Sequence, residues 1–207
     1  MIFKLKEILE SGNLNGLMVD ENYMVMTPLI KFVLEKDSKS VIELLKAGAD
    51  PNVSDDWDST PLEISCRNLD YNLSKILLDN GASPNYKNCM GKTPIMTLLY
   101  CCTSLPASES GEDEYNLLKL MLEYGADTYL KDDLNNDILD TVIFYDTILF
   151  QKLRNLIVKW RATLIIQYNI KVKLFRNRIK KRVEAKKLLL KDTKFPMDLI
   201  KMIKKYV

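Results

Sequence analysis

The sequence predicts an all-α solenoid of helix pairs joined by short hairpin turns, followed by a basic helical extension. Three observations predict it. Thr-Pro pairs recur at Thr27-Pro28, Thr60-Pro61 and Thr93-Pro94, 33 residues apart each time. Gly-Ala pairs follow in phase at Gly48-Ala49, Gly81-Ala82 and Gly125-Ala126, the last delayed by 11 additional residues. Charge is segregated: residues 159–207 hold 16 Lys/Arg against 3 Asp/Glu, and residues 1–158 hold 14 against 25, within a chain of 207 residues that nets +2. Self-similarity at a fixed period marks stacked repeats. The change of charge near Trp160 marks a second region of different character.

The elements follow in order. "FKLKEILESGNLNGLMV" reads as a shortened first unit: one helix to about Ser11, a Gly-Asn turn, then a second short helix. Its alternation of charged and apolar residues does not read as a signal peptide. In each full unit a Thr caps a helix whose first residue is Pro, where the missing N–H costs nothing and the fixed φ suits the first turn. A second helix carries "VIELL", "SKILL" or "LKLML". Gly48, Gly81 and Gly125 then supply the left-handed residue that ends it. The additional residues, "TSLPASESGED" at 103–113, have loop composition and are expected to protrude between the helices of the third unit. "DILDTVIFYDTILFQKLRNLIVKW" is apolar enough for two more helices but lacks Gly-Ala. It is expected to be a degenerate fourth unit and cap, since end units otherwise expose an apolar face. The array then spans 1–158, the basic extension 159–194 and a terminal helix 195–207.

The 33-residue period, the T-P-L opening and the L-L-x-x-G-A-D-x-N close together resemble the ankyrin repeat. Departures are visible: Ile30, Glu63 and Met96 stand where that family commonly has histidine, and the Gly two residues before Thr-Pro is present as Gly91 but replaced by Val25 and Asp58 in the earlier units. The resemblance implies a concave face built from hairpin tips and first helices that binds other proteins. The tips are 53–59, 86–92 and 130–137, so the candidate target contacts are Asp55, Asp56, Trp57, Tyr86, Lys87, Asn88, Met90, Lys131 and Asp132. Trp57 either stands out as an anchor for a partner or lies back over Tyr86. The aspartates beside it either solvate the turn or meet a basic partner.

Catalysis is disfavoured by composition. The chain has no histidine, which removes the commonest general base. Cys66, Cys89, Cys101 and Cys102 show no C-x-x-C spacing, so reduced cysteines are expected rather than a metal site. No Gly-rich phosphate loop is present. The expected role is non-covalent recognition with no cofactor. No apolar run approaches the ~18 residues a membrane span needs, so an intracellular protein is expected.

The extension "WRATLIIQYNIKVKLFRNRIKKRVEAKKLLLK" places Leu164, Ile165, Tyr168, Val172, Phe175 and Ile179 at helical spacing among lysines and arginines. Its stripe could pack on the repeats while the helix acts as a lever. Ile166, Gln167, Lys171 and Arg176 are similar to the IQ motif that binds calmodulin, with Lys for Arg and Val172 for Gly. The charge also suits nucleic acid or an acidic membrane surface. At 195–207, "FPMDLIKMIKKYV" is similar to the opening helix of an F-box, with Phe195, Pro196, Asp198, Leu199 and Ile203 at the matching places. Ankyrin arrays followed by a truncated F-box-like segment are an arrangement of large DNA viruses, notably poxviruses. That resemblance implies docking to a Skp-type adaptor of a cullin-type ubiquitin ligase, with host proteins as targets in the cytoplasm or nucleus. The competing expectation is a closing helix that buries Phe195, Leu199 and Ile203 in its own stack.

Overall fold

The computed structural model describes residues 5–19, 24–104, 111–143 and 148–192; the F-box-like segment lies outside the described residues. The chain divides into two compact units, Met1–Trp160 and Arg161–Val207.

The first unit opens with α1 (Leu5–Ser11), which ends at Gly12 with φ +70°. The second short helix expected after it does not form. Instead β1 (Met18–Val19) pairs antiparallel with β2 (Val25–Met26), Met18 opposite Met26 and Val19 opposite Val25. The intervening Asn-Leu-Asn-Gly is poor in helix formers, whereas valine suits a ladder.

Three helix pairs follow: α2 (Pro28–Leu34) with α3 (Ser38–Ala47), α4 (Pro61–Arg67) with α5 (Tyr71–Asp79), and α6 (Pro94–Ser104) with α7 (Glu112–Glu123). Thr27 Oγ1 accepts from the Ile30 N–H and Thr60 Oγ1 from the Glu63 N–H, both at 3.3 Å. Thr93 departs from the expected pattern. Its hydroxyl is buried without a hydrogen bond among the described residues. The N–H that would have met it, from Met96, instead donates to the Thr93 carbonyl at 2.9 Å.

Within the first two pairs, Lys36 and Leu69 take left-handed φ of +56° and +54°, and Asp37 and Asp70 then cap the second helix. Hydrogen bonds from Ser40 hold the Asp37 carboxyl below its ordinary value of 3.8. The third pair is where the additional residues enter. They do not form only a loop: α6 begins in phase but runs for 11 residues where α2 and α4 have 7. Gly111 stands at the cap of α7 without a side-chain bond, and Glu112, Asp113 and Glu114 put negative charge at that positive helix end instead. Each second helix closes through a left-handed glycine, with φ of +100° at Gly48, +88° at Gly81 and +84° at Gly125. The following Ala49, Ala82 and Ala126 N–H groups then reach back to the carbonyls of Leu44, Leu77 and Met121.

An asparagine ladder links the units. Asn15 Oδ1 accepts from the Asp50 N–H, Asn52 Oδ1 from Ser83 and Asn85 Oδ1 from Asp127, at 2.7–2.8 Å. Asn52 and Asn85 also donate to the carbonyls of Gly81 and Gly125. The next residue in this phase is Tyr129, which is exposed.

The last helices are α8 (Ile138–Ile143) and α9 (Ile148–Asp192). Asp137 takes the place of the capping threonine, accepting from the N–H groups of Leu139 and Asp140. The beginning of α9 contributes Phe150, Leu153 and Ile157 to one continuous core with Leu44, Leu77, Leu98 and Leu118. The change of charge near Trp160 is not an element boundary, because no glycine or proline occurs between Gly125 and Pro196 to stop a helix. Among the described residues of the second unit, Leu164, Ile165, Ile166, Tyr168, Ile170, Leu174, Phe175 and Ile179 are all exposed, so the stripe expected to pack on the repeats stands open to solvent.

Candidate binding groove of the repeats

The three hairpin tips are built by one device at one phase. Asp55 Oδ1 accepts from the N–H groups of Trp57 and Ser59. Asn88 Oδ1 accepts from Met90 and Lys92, and Asp132 Oδ1 from Leu134 and Asn136. Such a side chain replaces a backbone acceptor and fixes a tight turn. Three residues further on the backbone turns left-handed, at Asp58, Gly91 and Asn135. Neighbouring tips are tied by Cys89 N–H to the Trp57 carbonyl, Asp133 N–H to the Met90 carbonyl, and Lys87 Nζ to the Lys131 carbonyl at 2.6 Å. Gly91 is required by closeness as well as by φ, since a Cβ there would lie 2.7 Å from the Asp133 nitrogen.

Between the tips and the helices α2, α4 and α6 lies a groove of about 490 Å³. Met24, Leu34, Trp57, Met90 and Tyr100 line it and are all exposed, Trp57 at 66%. Lys92 Nζ stands 4.3 Å from the centre of the Tyr100 ring, a cation–π contact. The floor is polar. Glu63 is 4% exposed and accepts from Asn88 Nδ2 at 2.7 Å and Thr97 Oγ1 at 3.1 Å. Burial pushes its carboxyl above the ordinary 4.5, with those two hydrogen bonds pulling the other way. Arg67 donates to Ser59 Oγ at 3.3 Å beside it.

Of the tip residues singled out in the sequence, Asp55, Trp57, Asn88 and Met90 converge on this groove. Asp56, Lys87 and Lys131 are exposed at the tips, and Tyr86 and Asp132 are half-buried there, outside the groove lining. Asn88 needs correcting as a target contact: at 7% exposed, its amide is occupied by Glu63 and by its own hairpin, so it holds the floor. Asp55 and Asp132 likewise use an oxygen inside their turns. Leu34, Arg67 and Tyr100 were not among the expected residues. They sit 33 apart at the ends of corresponding helices or one place along them, so stepping the Thr-Pro phase forward by seven finds all three.

The IQ-like residues Ile166, Gln167, Lys171 and Arg176 are exposed on α9. Phe195, Pro196, Asp198, Leu199 and Ile203 lie outside the described residues. Cys66 and Cys102 are buried thiols whose surroundings push them up to about 12, which makes them poor nucleophiles. Among the described residues no group of His, Cys, Asp and Glu is placed to hold a metal ion, and no helix is long and apolar enough to cross a membrane.

Residues 29–132 match the family described as ankyrin repeats, in three copies. The chain is similar to mouse ankyrin repeat and SOCS box protein 16, 38% identical over 84 residues, which is 41% of this chain and 18% of that protein. It is also similar to protein lin-12 of Caenorhabditis elegans, 26% identical over 127 residues, covering 61% of this chain and 8% of that protein. The chain thus spans under a fifth of the length of either relative.

Proposed function

From the premise that this chain belongs to the ankyrin-repeat family, we propose that its groove selects a host protein and that residues 195–207 deliver that protein to a cullin-type ubiquitin ligase through a Skp-type adaptor. The broader part of this needs no proposal: the chain is a protein–protein interaction module of non-enzymatic repeats.

One observation carries the choice of the groove. Five exposed apolar side chains, Met24, Leu34, Trp57, Met90 and Tyr100, reach one concavity from successive units over a buried polar floor. Apolar surface of that kind rimmed by polar groups marks a protein-binding site, and a large aromatic at its edge is the usual energetic anchor. Cross-linking of the tagged full chain in cells is the test. Trp57→Ala combined with Tyr100→Ala is expected to abolish the cross-linked target while leaving the thermal midpoint unchanged. Undiminished cross-linking by that variant overturns the assignment.

The delivery step is supported by the Phe195-Pro196-x-Asp198-Leu199 pattern following a repeat array. The name of the mouse relative likewise pairs ankyrin repeats with a second module, a SOCS box. Affinity capture with and without residues 195–207 tests it: cullin components are expected only with the intact chain, and equal recovery from both sinks the ligase reading while leaving the groove reading standing.

A further inference from the structure

The second unit carries an apolar surface that none of the repeat arguments uses. In the stretch Leu164–Lys181 of α9, residues three and four apart share a face. Leu164, Tyr168, Val172, Phe175 and Ile179 form one broad stripe with Ile165 at its edge. Ile166, Ile170 and Leu174 form a second, narrow stripe on the opposite side. Every one of these is exposed except Val172, which is half-buried. Two polar ridges separate the stripes: Asn169, Lys173, Arg176 and Lys180 on one side, Gln167, Lys171 and Arg178 on the other. The stretch holds six Lys/Arg and no Asp/Glu.

We propose that this stretch docks an acidic, two-lobed protein of the calmodulin kind, which closes on the helix from both sides and covers both stripes. The two-sidedness decides among the occupants that a basic helix attracts. A bilayer surface meets a helix along one face only, so it would leave Ile166, Ile170 and Leu174, or the broad stripe, in water. A nucleic acid would neutralise the ridges but cover neither stripe. A second copy of the same helix would bring like charges together. An acidic clamp with apolar inner walls matches both the stripes and the ridges at once. The IQ-like residues fall into this scheme, Ile166 on the narrow stripe, Gln167 and Lys171 on one ridge and Arg176 on the other.

The experiment titrates the full chain with calcium-loaded calmodulin as the acidic two-lobed probe, by calorimetry at physiological salt. A one-to-one complex is expected. Leu174→Glu on the narrow stripe and Phe175→Glu on the broad one should each weaken it at least about tenfold, since each puts a charge where a large apolar side chain was to be buried. Both positions are exposed, so circular dichroism and the thermal midpoint should be unchanged in both variants. Trp57→Ala should not alter the affinity. No complex, sensitivity to only one of the two stripes, or loss of binding in Trp57→Ala overturns the proposal. So does tighter binding to phosphatidylserine vesicles, to a short oligouridine, or to a second copy by sedimentation. The groove reading is untouched by any of these results except loss in Trp57→Ala.

Discussion

Leu77 and Leu174 are both leucines in the middle of helices, yet one is 0% exposed and the other 56%. Leu77 lies in a repeat whose neighbours on both sides complete its surroundings, so its apolar surface is used up in folding. Leu174 lies in a helix whose charge and apolar surface are unmatched within its own unit. The difference teaches that the two halves of the chain direct the same chemistry to different ends. In the repeats, burial holds a scaffold that presents a small exposed groove, whereas in the extension nearly the whole apolar surface is presented.

The largest effect that sharpens this contrast is Leu77→Ala. It should destabilise the protein by about 2–5 kcal/mol in urea unfolding, the cost of an unfilled space in a packed core. A loss no larger than that of an exposed leucine would break the comparison. Next comes the groove floor. Glu63→Leu strands the Asn88 amide and the Thr97 hydroxyl and should cost about 1–3 kcal/mol. Glu63→Gln keeps an oxygen for both and separates charge from hydrogen bonding. Because burial raises the folded carboxyl above 4.5, the folded protein holds that proton more tightly than the unfolded chain. The stability it contributes is therefore complete below pH 4.5 and lost as pH rises through the raised value. Urea midpoints taken at pH 4.5 and at neutral pH should fall less in Glu63→Gln than in wild type; an identical fall would mean the carboxyl is not perturbed.

Smaller still is the contrast between two threonines at the same place in successive repeats. Thr60→Val removes a cap bond and should cost about 1 kcal/mol. Thr93→Val removes a buried hydroxyl that makes no bond and should be neutral or stabilising. At the bottom of the scale, Leu174→Ala should move the thermal midpoint by no more than about 0.5 kcal/mol allows, being a surface change in the folding sense.

Much of the scaffold was legible because its marks are local. Thr before Pro opens a helix and Gly before Ala ends one, and both signals lie within a few residues of the structure they specify. The groove was only half legible. Trp57 and Met90 could be placed on tips from composition, but Glu63 and Asn88 could not be paired, because their contact crosses from one unit to the next and each alone suggests solvent. Asn88 looked like a turn residue and is one, yet the other end of its amide is what completes the floor. The strand β1 was missed for a different reason: two residues are too few for any alternation to be read, and the partner strand follows a segment without hairpin signals. The unbroken course of α9 was written in the absence of glycine and proline, a signal masked by the more conspicuous change in charge.

The asparagine ladder has a consequence for how such an array can grow. Asn52 and Asn85 each end their unit with a side chain that finds its partners only in a successor. A duplicated stretch inserted after Asn85 would meet a socket already waiting for it and would supply an identical one to whatever follows. A stretch appended after Tyr129 would meet none. Lengthening by copying is thus permitted inside the array and refused at its far end, so a single tyrosine acts as punctuation in a sentence that could otherwise be extended.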